Sequence, residues 1–317
     1  MIKLENMKND GRILIEANLK PLQGSRFQPT GFPDLGAATF TLSDGKDMLL
    51  LESAQSMANR LEDVCWDSVS SKVAEELEGL PYISVVDNSG REITNSLLES
   101  HRVNSPYILE GKDKSFYNIL KEELSTLEKG RVDLKHLASV LFKYDPNSLV
   151  HGVFIAKSEL AGGRLRLPRM VSAFVEAEGV SIAASGGVKL DGVDPSGDTK
   201  KGFGHVPFSR DEYTAERITA YFNVDLDLIR GFGLPVMAAD LLLNLALYKI
   251  RKLLDKGLRF RTACDLELVE DPSVTKPSGF KLPELEELGN SVRDLTSLCS
   301  GHFAKPSVTV VTYDLGK

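Results

Sequence analysis

The segment Val236–Lys256 constrains this chain more than any other. It ends at Gly257, a residue suited to the position just past a helix. Its polar residues Asp240, Asn244, Arg251, Lys252 and Asp255 fall near one stripe, and the rest is oily. A helix apolar over most of its circumference belongs in a core, so other elements must sheathe it. Its longest apolar run, Leu241–Tyr248, is interrupted by Asn244 and flanked by Asp240 and Lys249. That is too short to cross a bilayer.

The sheathing reads mostly as strands. Arg12–Leu19 alternates apolar and polar residues. Residues 20–36 follow as a loop, since three prolines and three glycines forbid regular structure. Ala37–Leu42 and Met48–Leu51 flank Ser-Asp-Gly-Lys, a hairpin signal. Ser53 is a good N-cap for a helix over 53–66, whose Ala54, Met57, Ala58, Leu61 and Val64 share one face. Tyr82–Val86 and Glu92–Ile93 bracket a turn. Helical stretches at 115–127 and 134–144, closed by Asp145-Pro146, make residues 95–148 read as a mostly helical insertion. His151–Ala156 is a short strand. Met170–Ala177 and Val180–Ala184 are strands around Glu178-Gly179, Thr214–Val224 is another, and Cys264–Val269 and Val308–Tyr313 close the chain. Residues 185–212 contain eight Gly or Pro and almost no periodicity. They read as a long functional or disordered loop.

The totals bound the function. With 317 residues the chain makes one large domain or two ordinary ones. Cys65, Cys264 and Cys299 are odd in number, widely spaced and without CxxC, which points to a reducing compartment rather than a disulfide framework or zinc site. The first ten residues have no apolar run of the kind a signal peptide needs. A cytoplasmic protein with no membrane partner is the expectation. The net charge of −7 argues against a generic nucleic-acid binder, though not against a basic groove on an acidic body.

Motifs for chemistry are missing. The histidines at 101, 136, 151, 205 and 302 make no HExxH or HxH, and there is no GxSxG, P-loop or complete dinucleotide fingerprint. Gly202-Phe203-Gly204 and Gly231-Phe232-Gly233 read as turns, and Asp191 and Asp194 as loop residues. No catalytic residue, cofactor or metal is expected.

Three segments carry the residue types that bind single-stranded RNA, which are cations for phosphates, close-approach backbone and aromatic faces. The 20–36 loop offers Lys20, Gln23, Ser25, Arg26, Phe27 and Gln28, with Phe32 and a flexible Gly24; an ordinary loop with its phenylalanines in the core is the plainer alternative. The helix start offers Ser53, Gln55, Ser56, Asn59 and Arg60 beside free N–H groups, against a capped, solvated helix with Arg60 paired to Glu62 or Asp63. Lys157, Arg164, Arg166 and Arg169 face only Glu159 in their loop, and Lys200 and Lys201 form a second small patch.

The stretch RILIEANLKPLQGSRFQPTGFPDLGAATF, followed by LLLESAQSMANRLE, resembles the backbone subunit of type I-G (formerly I-U) Cascade effector complexes, a CRISPR-associated RAMP family. GFGHVPFSRDEYTAERITAYFNVDLDLIRGFG and AADLLLNLALYKIRKLLDKGLRFRTACDLELV are similar to the same family. The resemblance implies an α+β fold, a single domain over residues 1–317 with a modified RRM-like (ferredoxin-like) palm. It implies finger-like helices at 95–148 and a thumb-like loop or hairpin at 185–212, with Phe203 and His205 as contacts to RNA or to a neighbouring copy. It also implies binding of guide RNA (crRNA) by backbone shape and charge, without RRM aromatic motifs. Copies of the chain would line the RNA as a helical filament among other Cascade subunits, leaving its bases to pair with target DNA. An alternative within the superfamily is an endoribonuclease that cleaves repeat RNA through His205 or His151. A metal-dependent cut through Asp191 or Asp194 is a third reading.

Overall fold

In the computed structural model, which describes residues 1–32, 34–127, 130 and 132–315, the helix Val236–Lys256 lies at the centre of a mixed α/β fold. All residues from Ala238 to Leu254 except Lys252 are buried. The first part of its polar stripe does not face water, whereas Asp255 near its end is exposed. Asp240 and Asn244 are buried and accept the Leu4 and Ile2 backbone N–H groups at 2.8 and 3.0 Å, docking the chain's first turn. A buried polar group needs such partners, so the stripe positions the N-terminus.

One face of a curled antiparallel sheet packs on this helix. Along the sheet run Cys264–Leu268, Arg12–Pro21, Arg217–Asp225, Val171–Glu178, Asp47–Glu52 and Thr39–Thr41. Ile13, Ile15 and Ala17 face the helices beside Val171, Ala173 and Val175, while their alternate neighbours stay half-exposed. The helix Ala54–Asp63 joins the same layer. It is shorter than the 53–66 expected, because the chain leaves it at Val64.

Val308–Thr312, the expected last strand, belongs to a second, three-stranded sheet. It pairs parallel with Tyr82–Val86, which pairs in turn with Glu92–Asn95. Between residues 102 and 151 lie helical turns, including Ser115–Glu123 and Leu134–Tyr144. The helix Leu285–Cys299 packs along Val236–Lys256 and was not anticipated.

Residues 185–212 are not a structureless loop. Ser181–Lys189 and Val206–Thr214 pair in register from Ser181↔Thr214 to Lys189↔Val206, and only residues 190–205 turn back. Nine pairs at a strand's rise make an arm roughly 30 Å long. Glycine makes the ribbon thin where it is closest. A Cβ at Gly186 would lie 2.8 Å from the Phe208 carbonyl oxygen.

Candidate nucleic-acid interface

The 20–28 loop is pinned at both ends. Lys20 lies opposite Glu267 in the sheet and pairs with it at 3.2 Å. Leu22 N–H donates to Asp265 O at 2.9 Å, and Gln28 N–H to Ala263 O at 2.8 Å. Phe27 and Tyr213 exchange N–H···O bonds, which ties the loop to the root of the arm. Gln23, Gly24, Ser25 and Arg26 are left exposed, with Gly24 at φ +71° and open space beside it. They border a groove of about 380 Å³ whose other wall holds Arg210 and Glu212. Phe27 corrects the expectation of a stacking surface. It is 1% exposed, because the two backbone bonds turn its ring into the core. Phe32 is described in its backbone alone, and Pro33 lies outside the described residues.

Two carboxylates organise the cations here. Glu212, its side chain 6% exposed, holds Arg26 at 3.2 Å and Arg210 at 2.5 Å. Glu52, fully buried, holds Arg60 at 3.3 Å and also Arg261. Gln28 links the two sets, accepting from Arg210 on its side chain and from Arg261 on its carbonyl. Each set has two guanidinium groups and one carboxylate, and Asp265 adds a further carboxylate to the groove wall, which leaves the linked strip with four cations and three acids. Arg210 and Arg261 were missed from sequence: Arg210 directly precedes two acids, and Arg261 ends a basic stretch, 249–261, that belongs mostly to the central helix.

The start of the helix Ala54–Asp63 abuts this strip. Ser53 Oγ accepts the Ser56 N–H at 3.3 Å, an ordinary N-cap, and the Ser56 hydroxyl donates to Glu52. Arg60 reaches neither Glu62 nor Asp63 in a salt bridge. It donates to Glu52 and, at 2.7 Å, to Phe260 O, with its guanidinium 4.6 Å over the Phe260 ring. Burial lowers its pKa. These contacts make it a staple between helix and sheet rather than a free cation. Gln55 and Asn59 are exposed and bonded to each other at 3.0 Å. Arg169 donates to Ala54 O at 2.9 Å and to the Gln55 side chain, so the fold brings one member of the third segment to the second.

The rest of that third segment is dispersed. Lys157 pairs with Glu110. Arg164 donates to Leu127 O at 2.9 Å and Gly130 O at 2.8 Å. Arg166 is exposed and forms no ion pair with a described residue. Lys200, Lys201, Phe203 and His205 sit at the tip of the arm, a ribbon's length from the groove. There the Asp191 carboxylate accepts N–H groups of Val193, Asp194 and Gly204 at 2.8, 3.0 and 2.8 Å, which holds its pKa below the usual range. His205 Nδ1 accepts the Asp191 N–H at 2.9 Å. His151 is buried with its Nε2 2.9 Å from Lys249 Nζ; burial and that charge drive its pKa well down. No cluster of three His, Cys, Asp or Glu arranged for a metal occurs among the described residues. No described helix is long and apolar enough to cross a membrane.

A thin ribbon arm is thus rooted beside a groove lined by Arg26, Arg210, Gly24 and small polar side chains, together with the carboxylates of Glu212 and Asp265. The family follows from comparison. The model of the CRISPR-associated protein GSU0053 family matches residues 13–182, and the chain belongs to that family. No curated protein matches it. Among solved structures the chain is similar to one described as "CRISPR RNA-guided surveillance complex, pre-nicking", at 14% identity and TM-score 0.41, over 81% of this chain and 74% of that one. It is also similar to Csc2 of Thermofilum pendens, at 10% identity and TM-score 0.35, over 92% and 77%. At these scores the likenesses carry no argument of their own.

Proposed function

We propose that this protein is the guide-RNA-binding backbone subunit of a type I-G Cascade complex, acting in CRISPR interference. The groove beneath the arm carries this reading. Arg26 and Arg210 are oriented on buried Glu212, next to a backbone that Gly24 leaves bare and to the exposed amide and hydroxyl of Gln23 and Ser25. These groups suit phosphates and 2′-hydroxyls and carry no code for base sequence. Membership of a CRISPR-associated family supports the setting.

The palm in this proposal is RRM-like. Strand Arg12–Pro21, helix Ala54–Asp63, strands Val171–Glu178 and Arg217–Asp225, helix Val236–Lys256 and strand Cys264–Leu268 follow one another as βαββαβ. Numbered by position in that unit, the strands lie in the order 4-1-3-2, that of a ferredoxin-like sheet. Residues 95–148 serve as fingers inserted in a single domain, and residues 185–212, the outer part of the arm, as the thumb. Lys200, Lys201, Phe203 and His205 at its tip then meet RNA or the next copy in a cytoplasmic filament, whose guide pairs with target DNA beside other Cascade subunits.

The protein binds in this account without cutting. The burial of His151 and the engagement of His205 and Asp191 in the turn of the arm support that over an endoribonuclease. Fluorescence anisotropy with single-stranded RNAs of one length and unrelated sequences tests it. Equal affinities that fall together with salt are expected. A preference confined to one sequence, or cleavage of repeat RNA by the purified protein, overturns it.

A further inference from the structure

The face of the large sheet turned away from the helices is neither an ordinary solvated surface nor a basic one. Leu14, Glu16 and Asn18 point there from one strand, Tyr221 and Asn223 from the next, Ser172, Phe174 and Glu176 from the third, and Leu50 from the fourth. Leu14, Leu50, Phe174 and Tyr221 are half-buried and stand outside the hydrophobic core. Phe174 and Tyr221 are cross-strand partners with stacked rings, 5.0 Å between centroids and 26° between planes.

The charges on this face are sorted. At its margins three cations already have an acid, Arg12 with Asp225 at 3.0 Å, Lys20 with Glu267 at 3.2 Å, and Arg217 with Glu178 at 2.5 Å, while Lys276, opposite Leu14 at one edge, has no ion pair among the described residues. In the middle, Glu16 lies directly opposite Tyr221, and Glu176 opposite Thr219 and Leu50. Neither carboxylate has a hydrogen bond or ion pair among the described residues, and burial raises the pKa of Glu176. Half-buried carboxylates without partners cost free energy that a cation would recover. Flat aromatic rings beside them add a cation–π seat. The same pair of charges repels a phosphate backbone, so the aromatic rings here do not serve RNA as those of an ordinary RRM sheet do.

We propose that this open face docks a polypeptide segment of another protein that presents arginine or lysine between apolar side chains. Cations settle against Glu16 and Glu176 over the Phe174–Tyr221 pair, and apolar side chains cover Leu14 and Leu50. The inference does not depend on the RNA groove, which lies at the root of the arm and uses other residues.

The probe is a fluorescein-labelled peptide, Leu-Arg-Leu-Arg-Leu-Arg-Leu, titrated with the full chain by anisotropy, with the glutamate analogue of the peptide and a single-stranded RNA in parallel. The double variant Glu16→Gln, Glu176→Gln keeps shape and sheet pairing and removes both charges. It is expected to weaken the arginine peptide roughly tenfold, the weight of two half-desolvated ion pairs, and to leave RNA affinity unchanged. Phe174→Leu with Tyr221→Leu is expected to weaken the peptide as well, with thermal melting used to confirm a folded chain. The proposal is overturned if wild type does not bind the peptide, or if the charge-neutral variant binds it as wild type does. It is also overturned if the charge-neutral variant loses RNA, or if light scattering finds a wild-type dimer that this variant dissolves.

Discussion

Replacing Arg26 by alanine separates binding from folding at the proposed RNA groove. Its side chain is 54% exposed, and its partner Glu212 keeps Arg210 at 2.5 Å when Arg26 is gone. The folded state therefore loses only a surface-grade ion pair, worth under about 1 kcal/mol, and its melting point stays near that of wild type. A phosphate contact on single-stranded RNA contributes about 0.7 to the slope of log affinity against log salt. At about 0.1 M salt, losing one such contact lowers affinity roughly fivefold, or about 1 kcal/mol. Anisotropy titrations over a salt series, with two RNAs of unrelated sequence, read both quantities. The reasoning predicts the same fivefold loss for both RNAs and a slope shallower by about 0.7. An unchanged slope, or a loss confined to one RNA, refutes the assignment of Arg26 to phosphate.

Other predictions concern stability and order. Arg60→Ala leaves the fully buried Glu52 with Arg261 and Ser56 but removes one guanidinium and its bond to Phe260 O. Urea unfolding is expected to show a loss of about 2–3 kcal/mol, and a loss no larger than that of Arg26→Ala contradicts the staple role. Asp145, buried with its carboxyl pKa pushed up to about 6 chiefly by desolvation, binds protons more readily folded than unfolded. Its contribution therefore falls as pH rises from about 4 through about 6, and Asp145→Asn removes that part of the slope, up to about 3 kcal/mol between pH 4 and 7.5. The difference between the two unfolding curves isolates Asp145 from His151, whose depressed pKa acts in the opposite direction, and parallel curves would refute the reading. Asp191→Ala removes the acceptor of three amides at the tip of the arm. Hydrogen exchange at Val193, Asp194 and Gly204 should quicken while the global melting point hardly moves, and unchanged exchange there would contradict the model of the turn.

What the sequence disclosed depended on whether each segment's pattern is set by the core. The helix Val236–Lys256 and the strand from Arg12 carry their burial in their periodicity, so both were legible. Most of the arm was not. Only the start of its first strand, read as Val180–Ala184, was; the rest of Ser181–Lys189 is mostly exposed and contains Gly186 and Gly187, so neither alternation nor β-propensity marks it, and pairing with Val206–Thr214 reveals its full length. The helix Leu285–Cys299 was legible in principle, since Leu288, Ser291, Val292, Leu295 and Cys299 share its buried face. At the groove, Arg26 was found because it sits in a loop of suggestive composition. Arg210 and Arg261 were not, because tertiary folding sets their roles, bringing Arg26 and Gln28 to Arg210 beside its strand neighbour Glu212, and Glu52 to Arg261. The same folding turned Phe27 inward and took Arg60 out of solvent-facing service.

The central claim is assembly along RNA. Light scattering after gel filtration, on the protein alone and mixed with single-stranded RNAs of increasing length, measures it directly. The account predicts particles whose mass climbs in steps with RNA length, each step one more copy of the chain. A protein that keeps one mass whatever the RNA, at low salt and in the presence of its partner subunits, would contradict it.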